Sequence, residues 1–396
     1  VTLLLIGQFF VLALSYIGIG LGYLPGLRLN RAAIAFVGAV LLIGLGMDLE
    51  TAWQAIDANT ICFLLGMMIV NANLASAGVF SLSLSVLLQM TQSPFGLMVV
   101  LSIASGVLSA FFLNDTLVMV FTPLTISLTQ TLNLSPVPYL LAIAAATNIG
   151  SVATLSGNPQ NILVGSFSGI HYLDFARSLT PIAIAGLVLQ IGWLWLLYPD
   201  VRSIEPLAVP KLRVRLFKPL LLKSLIVTAG LLVAFVAGAP LGKSALLAAT
   251  LLLVTRRLRS QRSLERVDWN LLLMFSSLFV LTRATEQLNL LQGLTDWVAN
   301  SIGLLSVTAV LSNLISNVPA VLVLHPLIAA ENSSEWLMLA AASTLAGNLT
   351  LLGSIANLIV VEAAATLGYQ LSFWEHLRFG LPLTLLTLGF AYFWLR

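Results

Sequence analysis

Four short polar segments interrupt stretches that are otherwise apolar, and they hold the residues able to do chemistry. Asn114-Asp115-Thr116 and Ser316-Asn317-Val318-Pro319 each break a long apolar block. Thr154-Leu155-Ser156-Gly157-Asn158-Pro159-Gln160-Asn161 and Thr350-Leu351-Leu352-Gly353-Ser354-Ile355-Ala356-Asn357 break two more. Gly and Pro inside a helix interrupt its hydrogen-bond ladder. The N–H groups freed at a helix start carry partial positive charge and suit an anion. Freed carbonyls, with Asn, Ser and Thr oxygens, suit Na⁺. The candidate substrate-binding residues are therefore Asn114, Thr116, Thr154, Gly157, Asn158, Asn161, Ser316, Asn317, Thr350, Gly353, Ser354 and Asn357. For any one of these polar side chains a second role is open, that of satisfying freed backbone or tying helices together.

Asp115 differs in kind. A carboxylate at membrane depth costs about 2.5–3.5 kcal/mol or more. Beside a bound anion it must be protonated or hold a cation. Two roles are open for it. One is ion coupling, by H⁺ or by Na⁺ shared among Asn114, Asp115 and Asn317. The other is a cap on the helix that follows. The corresponding position in the second half is Val318, so no acid repeats there.

The elements that must position these residues are membrane-spanning. Of 396 residues, 59% are hydrophobic and only 8% charged, against about 25% charged in soluble domains. Apolar runs recur along the whole chain, which excludes a lone signal peptide or single anchor. Residues 1–14 are apolar without a basic leader and read as a spanning helix; a residue or two, including an initiator Met, is expected before them. The one cysteine, Cys62, excludes an internal disulfide and a Cys-based metal site. No nucleotide-binding Gly-Lys-Ser/Thr loop and no polar stretch long enough for an enzyme core are present, so neither ATP-driven pumping nor catalysis is expected.

Spans are expected near 1–24, 31–47, 59–79, 138–170, 178–198, 219–238, 241–256, 269–288, 336–366 and 376–395. Two further blocks, 95–130 and 303–330, are interrupted centrally. Residues 303–316 rise only about 21 Å as a helix, short of the roughly 30 Å hydrocarbon core. The second block therefore reads as a re-entrant hairpin with its tip at 316–319. The first block is long enough for two crossings, and the internal repeat favours a hairpin there as well.

That repeat has three matching features in one order. Asp57-Ala58-Asn59 and Asp268-Trp269-Asn270 each open a span. The two hairpin tips then match at one offset, and the two broken segments match at another. The halves are 1–198 and 219–396, joined by a basic cytoplasmic linker at 199–218. Five spans per half is an odd number, so the second half enters from the opposite side. The expected fold is an all-α membrane protein of two inverted repeats, each with about five spans, one re-entrant hairpin and one broken helix. With the N-terminus outside, segments 24–31, 199–223 and 256–268 face the cytoplasm and carry 13 of the 18 basic residues, as the positive-inside rule requires. Orientation alone accounts for these charges, so no nucleic-acid partner is expected.

Minor features have structural readings. Arg283 and Glu286 sit at ion-pair spacing on a helix. His325 reads as a packed neutral imidazole, with titration as the alternative. Glu362 is placed toward the inner face or Arg378, and Cys62 in packing.

On Ser109-Ala110-Phe111-Phe112-Leu113-Asn114-Asp115-Thr116, on 148–161, on Ser316-Asn317-Val318-Pro319-Ala320 and on 347–357, the chain resembles the arsenite permease and sodium–proton antiporter branch of the ion transporter superfamily. Divalent anion–sodium symporters and citrate transporters belong to the same superfamily. The resemblance implies a scaffold domain and a moving transport domain, a homodimer and elevator-type alternating access. Symporters of this group tend to carry Ser-Asn-Thr at both hairpin tips. Here Thr116 keeps part of that pattern and the second tip lacks the Thr, which leans toward the arsenite-permease-like branch. The expected function is secondary transport of a small anion, an inorganic oxyanion such as arsenite or a carboxylate, across a bacterial inner membrane, coupled to H⁺ or Na⁺. A Na⁺/H⁺ antiporter is the alternative, and a passive channel a third reading. The expected partners are the anionic solute, the lipid bilayer and a second copy of the chain, with no cofactor beyond the coupling ion.

Overall fold

The computed structural model describes residues 2–207, 216–254 and 260–396. Lys211, Arg213, Arg215, Arg256, Arg257 and Arg259, and much of the 199–218 linker, lie outside the described residues. Among the described residues the regular structure is helical.

The first half contains α1 (Thr2–Leu21), α2 (Arg31–Gly44), α3 (Leu49–Ala55), α4 (Ala58–Ala77), α5 (Val79–Leu88), α6 (Pro94–Phe111), α7 (Asn114–Thr131), α8 (Val137–Ser151), α9 (Pro159–Ser168) and α10 (Tyr172–Leu197). The second half follows the same order with α11 (Lys218–Val236), α12 (Leu241–Leu253), α13 (Ser260–Leu264), α14 (Trp269–Gln287), α15 (Gln292–Val298), α16 (Ser301–Ile315), α17 (Asn317–Leu324), α18 (Ser333–Ala346), α19 (Ile355–Thr366) and α20 (Phe373–Leu395).

Local chemistry sets these starts. Asp57 caps α4 through the Thr60 N–H at 2.6 Å, and Asp268 caps α14 through the Leu271 N–H at 2.9 Å. Ser93 and Asn300 cap α6 and α16 in the same way. A side-chain oxygen at that position satisfies an N–H that the helix itself cannot.

Packing partners exchange between the halves. Helix α4 packs on α12, and α14 on α2; α7 packs on α19, and α17 on α9. Helices α10 and α20 pack on each other. A twofold relation between the halves has this reciprocity.

The expected spans near 138–170 and 336–366 are each split, into α8 with α9 and α18 with α19. Four short helices, α3, α5, α13 and α15, escaped the sequence reading. Gly78, at φ +85°, turns the chain between α4 and α5, and α14 and α15 meet at 96°. The limbs of the second interrupted block are 15 and 8 residues long, too short to cross. Those of the first are 18 residues each, about 27 Å.

Among the described residues, six single helices are long and apolar enough to cross a bilayer. Their outward faces leave Phe10, Val188, Leu222 and Val233 mostly exposed, a surface suited to lipid and not to water. The centre is the opposite. From 138 to 151 every residue of α8 is buried, as is every residue of α18 from 336 to 346. Small residues allow this approach: a Cβ on Gly150 would fall on the backbone of Gly106.

Candidate functional site

Four helix starts converge on one small cavity of about 30 Å³, room for about one water. Asn114 and Asp115 of α7, Pro159 and Gln160 of α9, Ser316, Asn317 and Val318 of α17, and Ser354 and Ile355 of α19 line it, with Leu271. Starts α7, α17 and α19 have no side-chain cap. Only α9 is capped, by Asn158 Oδ1 accepting from the Asn161 N–H at 2.8 Å. At α7 the Asn114 Oδ1 accepts the Asp115 N–H at 3.0 Å, and the starts of α17 and α19 add helix N-terminal dipoles without a side-chain cap.

The polar network behind the cavity is reciprocal. Asn148 of α8 donates to Asn348 Oδ1 at 2.9 Å and to Asn357 Oδ1 at 3.3 Å. Its own Oδ1 accepts from Ser354 Oγ at 2.9 Å and from Asn114 Nδ2 at 3.3 Å. In the second half, Thr344 Oγ1 accepts from Asn158 Nδ2 at 3.2 Å and Gln160 Nε2 at 3.1 Å, and lies 3.4 Å from Asn161 Oδ1. Positions 148, 158 and 161 correspond to 344, 354 and 357 at the offset of the broken segments. Each half therefore reaches across to hold the other's break.

The breaks are also stapled within each half. Asn161 Nδ2 donates to Ser151 O and Thr154 O, both at 2.9 Å. Asn357 Nδ2 does the same to Gly347 O at 2.8 Å and Thr350 O at 3.1 Å. The Thr154 hydroxyl bonds the Ala110 carbonyl, and the Thr350 hydroxyl bonds Asn313 Oδ1 at 2.9 Å. At Gly157 a Cβ would meet Ser151 O and Ser109 O, and at Gly353 it would meet Asn313 Oδ1 at 2.7 Å. These glycines let each break lie against its own hairpin.

Of the candidate residues, Asn114, Asp115, Ser316, Asn317 and Ser354 line the cavity. Thr154, Gly157, Asn158, Asn161, Thr350, Gly353 and Asn357 sit behind it and shape the breaks. Thr116 lies with Asp115 on an adjoining larger cavity. Asn148, Thr344, Asn348, Gln160 and Asn313 were missed as candidates. Asn148 and Thr344 share the repeat offset, which is the signal that could have paired them.

Asn317, with its amide turned to donate, reaches Ser343 O at 2.9 Å and Gly353 O at 3.2 Å. Its neighbour Ser316 has φ +78° and ψ 159°, a region populated almost only by Gly, where other residues carry about 1–3 kcal/mol of strain. Ser316→Gly is therefore expected to raise the melting temperature of the purified protein, because the strain relieved exceeds the glycine entropy penalty of about 0.5–1 kcal/mol. A lower melting temperature would contradict the strained tip.

The Asp115 carboxylate caps no helix start and makes no salt bridge among the described residues. It faces both the small cavity and one of about 550 Å³ that holds Arg266, Asp268 and Thr116. A groove of about 580 Å³, with Arg31, Asn270 and Glu362, approaches from another side. Leu271 lines all three. Leu271→Ala is accordingly expected to speed labelling of a Ser354→Cys protein by a membrane-impermeant maleimide several-fold. An unchanged rate would mean that Leu271 closes nothing.

Comparison with known proteins agrees with this architecture. The citrate transporter family model matches residues 10–346. An uncharacterized transporter of Mycobacterium tuberculosis is 30% identical over 404 residues, covering 93% of this chain and 94% of its own length. The silicon efflux transporter LSI3 of Oryza sativa subsp. japonica is 31% identical over 444 residues, covering 92% of each chain. Among solved structures, the YdaH transporter of Alcanivorax borkumensis superposes with a TM-score of 0.59 at 14% identity, over 100% of this chain and 97% of its own. At that identity the likeness concerns the fold.

Proposed function

Because the chain belongs to the citrate transporter family, and is a multi-pass membrane transporter and not an enzyme, we propose that it moves a small anion by ion-coupled alternating access. The observation that carries this reading is the set of uncapped helix starts around one buried cavity. Backbone N–H dipoles attract an anion without a fixed positive side chain, so a solute can bind and still leave. The reciprocal network supports inverted halves, 1–198 and 219–396, with the cavity on their twofold axis. A small buried cavity flanked by two larger ones suits elevator-type movement of the hairpins and broken helices.

The carboxylate of Asp115 supplies the coupling charge. It takes up H⁺, or Na⁺ with Asn114 and Asn317, as the anion enters. The solute class is an inorganic oxyanion such as arsenite, or a carboxylate, and the rice relative named for silicon efflux supports testing inorganic oxo solutes first. The charge placement supports an N-terminus outside a bacterial inner membrane, and the family resemblance supports a homodimer.

Proteoliposomes decide the matter. Uptake of arsenite or citrate that follows an imposed H⁺ or Na⁺ gradient is expected. Cation exchange with no added anion would favour the second reading, Na⁺/H⁺ antiport, which the Asp115 carboxylate, without a salt bridge among the described residues, also suits.

A further inference from the structure

We propose that the pocket around Arg283 is a second anion site, which captures the transported oxyanion or carboxylate on the membrane face opposite the Asp115 vestibule. This rests on the transport reading above and adds a residue set that lies outside the central cavity.

The pocket has a volume of about 390 Å³, lined by Thr51 and Gln54 of α3, Thr282, Arg283 and Glu286 of α14, and His325 beyond α17. Helix α14 fixes its place. Asp268 and Leu271, at one end, belong to the Asp115 vestibule. Arg283 and Glu286 lie about four turns farther along, roughly 22 Å away. The two pockets therefore sit at opposite ends of a helix of spanning length.

The internal repeat shows what has been added. Aligned through Asp57 and Asp268, the vestibule residues Met68, Ala72 and Ala75 of α4 correspond to Phe279, Arg283 and Glu286 of α14. Alanines in one half stand where the other has an arginine and a glutamate. The helix packing common to both halves does not require those charges.

The pocket also offers unused donors. Thr282 is 3% exposed and, among the described residues, its hydroxyl makes no hydrogen bond of normal geometry, although the Tyr16 side chain lies beside it, whereas Thr285 on the same helix bonds the Leu281 carbonyl at 2.8 Å. Arg283 gives one nitrogen to Glu286 at 3.1 Å and keeps further N–H donors free. The His325 ring stacks on Phe167, with centroids 4.1 Å apart and planes at 17°, and its Nδ1 bonds the Leu322 carbonyl at 2.8 Å. With the Nδ1–H donating to that carbonyl, the neutral ring presents Nε2 as a lone-pair acceptor, so the donors for an anion are those of Arg283 and Thr282. An oxyanion between Arg283 and the Thr282 hydroxyl would receive charge-assisted bonds, in competition with Glu286.

That competition separates a capture site from an ordinary helix ion pair. Arg283→Gln and Glu286→Gln remove the same salt bridge, so a purely structural pair loses the same interaction either way. A capture site moves in opposite directions, because Glu286→Gln frees the guanidinium. Arsenite and citrate flux would be measured in right-side-out and inside-out vesicles. Arg283→Gln is expected to raise the half-saturating concentration about tenfold, a 1.4 kcal/mol loss, from the Arg283 face only. Glu286→Gln is expected to lower it from that face, and Thr282→Val to raise it. Shifts of the two charge variants in one direction, no shift, or equal shifts from both faces would overturn the site. Absence of anion flux in the unaltered protein would overturn the transport reading itself.

Discussion

Asp115→Asn is expected to abolish ion-driven anion uptake while leaving the protein inserted and no less stable than the parent. The two halves of that expectation have different causes. Asn keeps the size and shape of Asp but can neither take up a proton nor hold a cation with a full charge. Loss of a charged hydrogen-bond partner is worth about 1.5–3 kcal/mol, so ion-driven uptake should fall by roughly one to two orders of magnitude. Stability should not fall, because the carboxylate caps no helix and makes no salt bridge among the described residues. Removing an unpaired charge from membrane depth relieves a cost. Flux in proteoliposomes and a thermal melt in detergent check both. Normal gradient-driven uptake by the variant, or a collapsed melting temperature, would make Asp115 a structural residue.

Asn148→Ala is expected to have the largest effect on stability. Its amide uses all four of its hydrogen-bonding positions, on Asn114, Asn348, Ser354 and Asn357. It is the residue that joins the first hairpin tip to the break in the other half. At the average of about 0.6 kcal/mol per hydrogen bond within membranes, the four sum to roughly 2 kcal/mol. Buried groups left without a partner add to that. The melting temperature should drop clearly, and anion flux should fall with it, since Ser354 and Asn114 lose their common anchor. Thr344→Ala, at the corresponding position of the other half, should show a smaller drop, because Thr344 Oγ1 accepts two bonds, at 3.1 and 3.2 Å, where the Asn148 amide makes four. An unchanged melting temperature in Asn148→Ala would break the link between the network and the fold.

Much of this arrangement is legible in the sequence, for physical reasons. Helix breaks and hairpin tips need Gly, Pro and polar residues inside apolar runs, and such residues stand out there. The repeated Asp57 and Asp268 caps, the two tips and the two breaks register the halves against each other. The spacing of Arg283 and Glu286 likewise announces a pair, seen at 3.1 Å. What stayed hidden has equally plain causes. Contacts between halves, such as Asn148 with Asn357, join residues some two hundred positions apart and leave no periodic trace. Helices as short as α3, α13 and α15 bury few residues, so their pattern is lost among loops. The division of labour at the breaks was also illegible. Asn161 and Asn357 are the same residue type as Asn114, yet their amides are spent on carbonyls seven and ten residues back, across the break.

The solute is expected to bind where the two halves meet, beside Ser354. In a protein carrying Cys62→Ser and Ser354→Cys, the rate of alkylation reports directly on that spot. The transported anion is expected to slow alkylation, with a midpoint equal to the concentration that half-saturates flux. Alkylation that proceeds at the same rate under saturating, actively transported anion would contradict it.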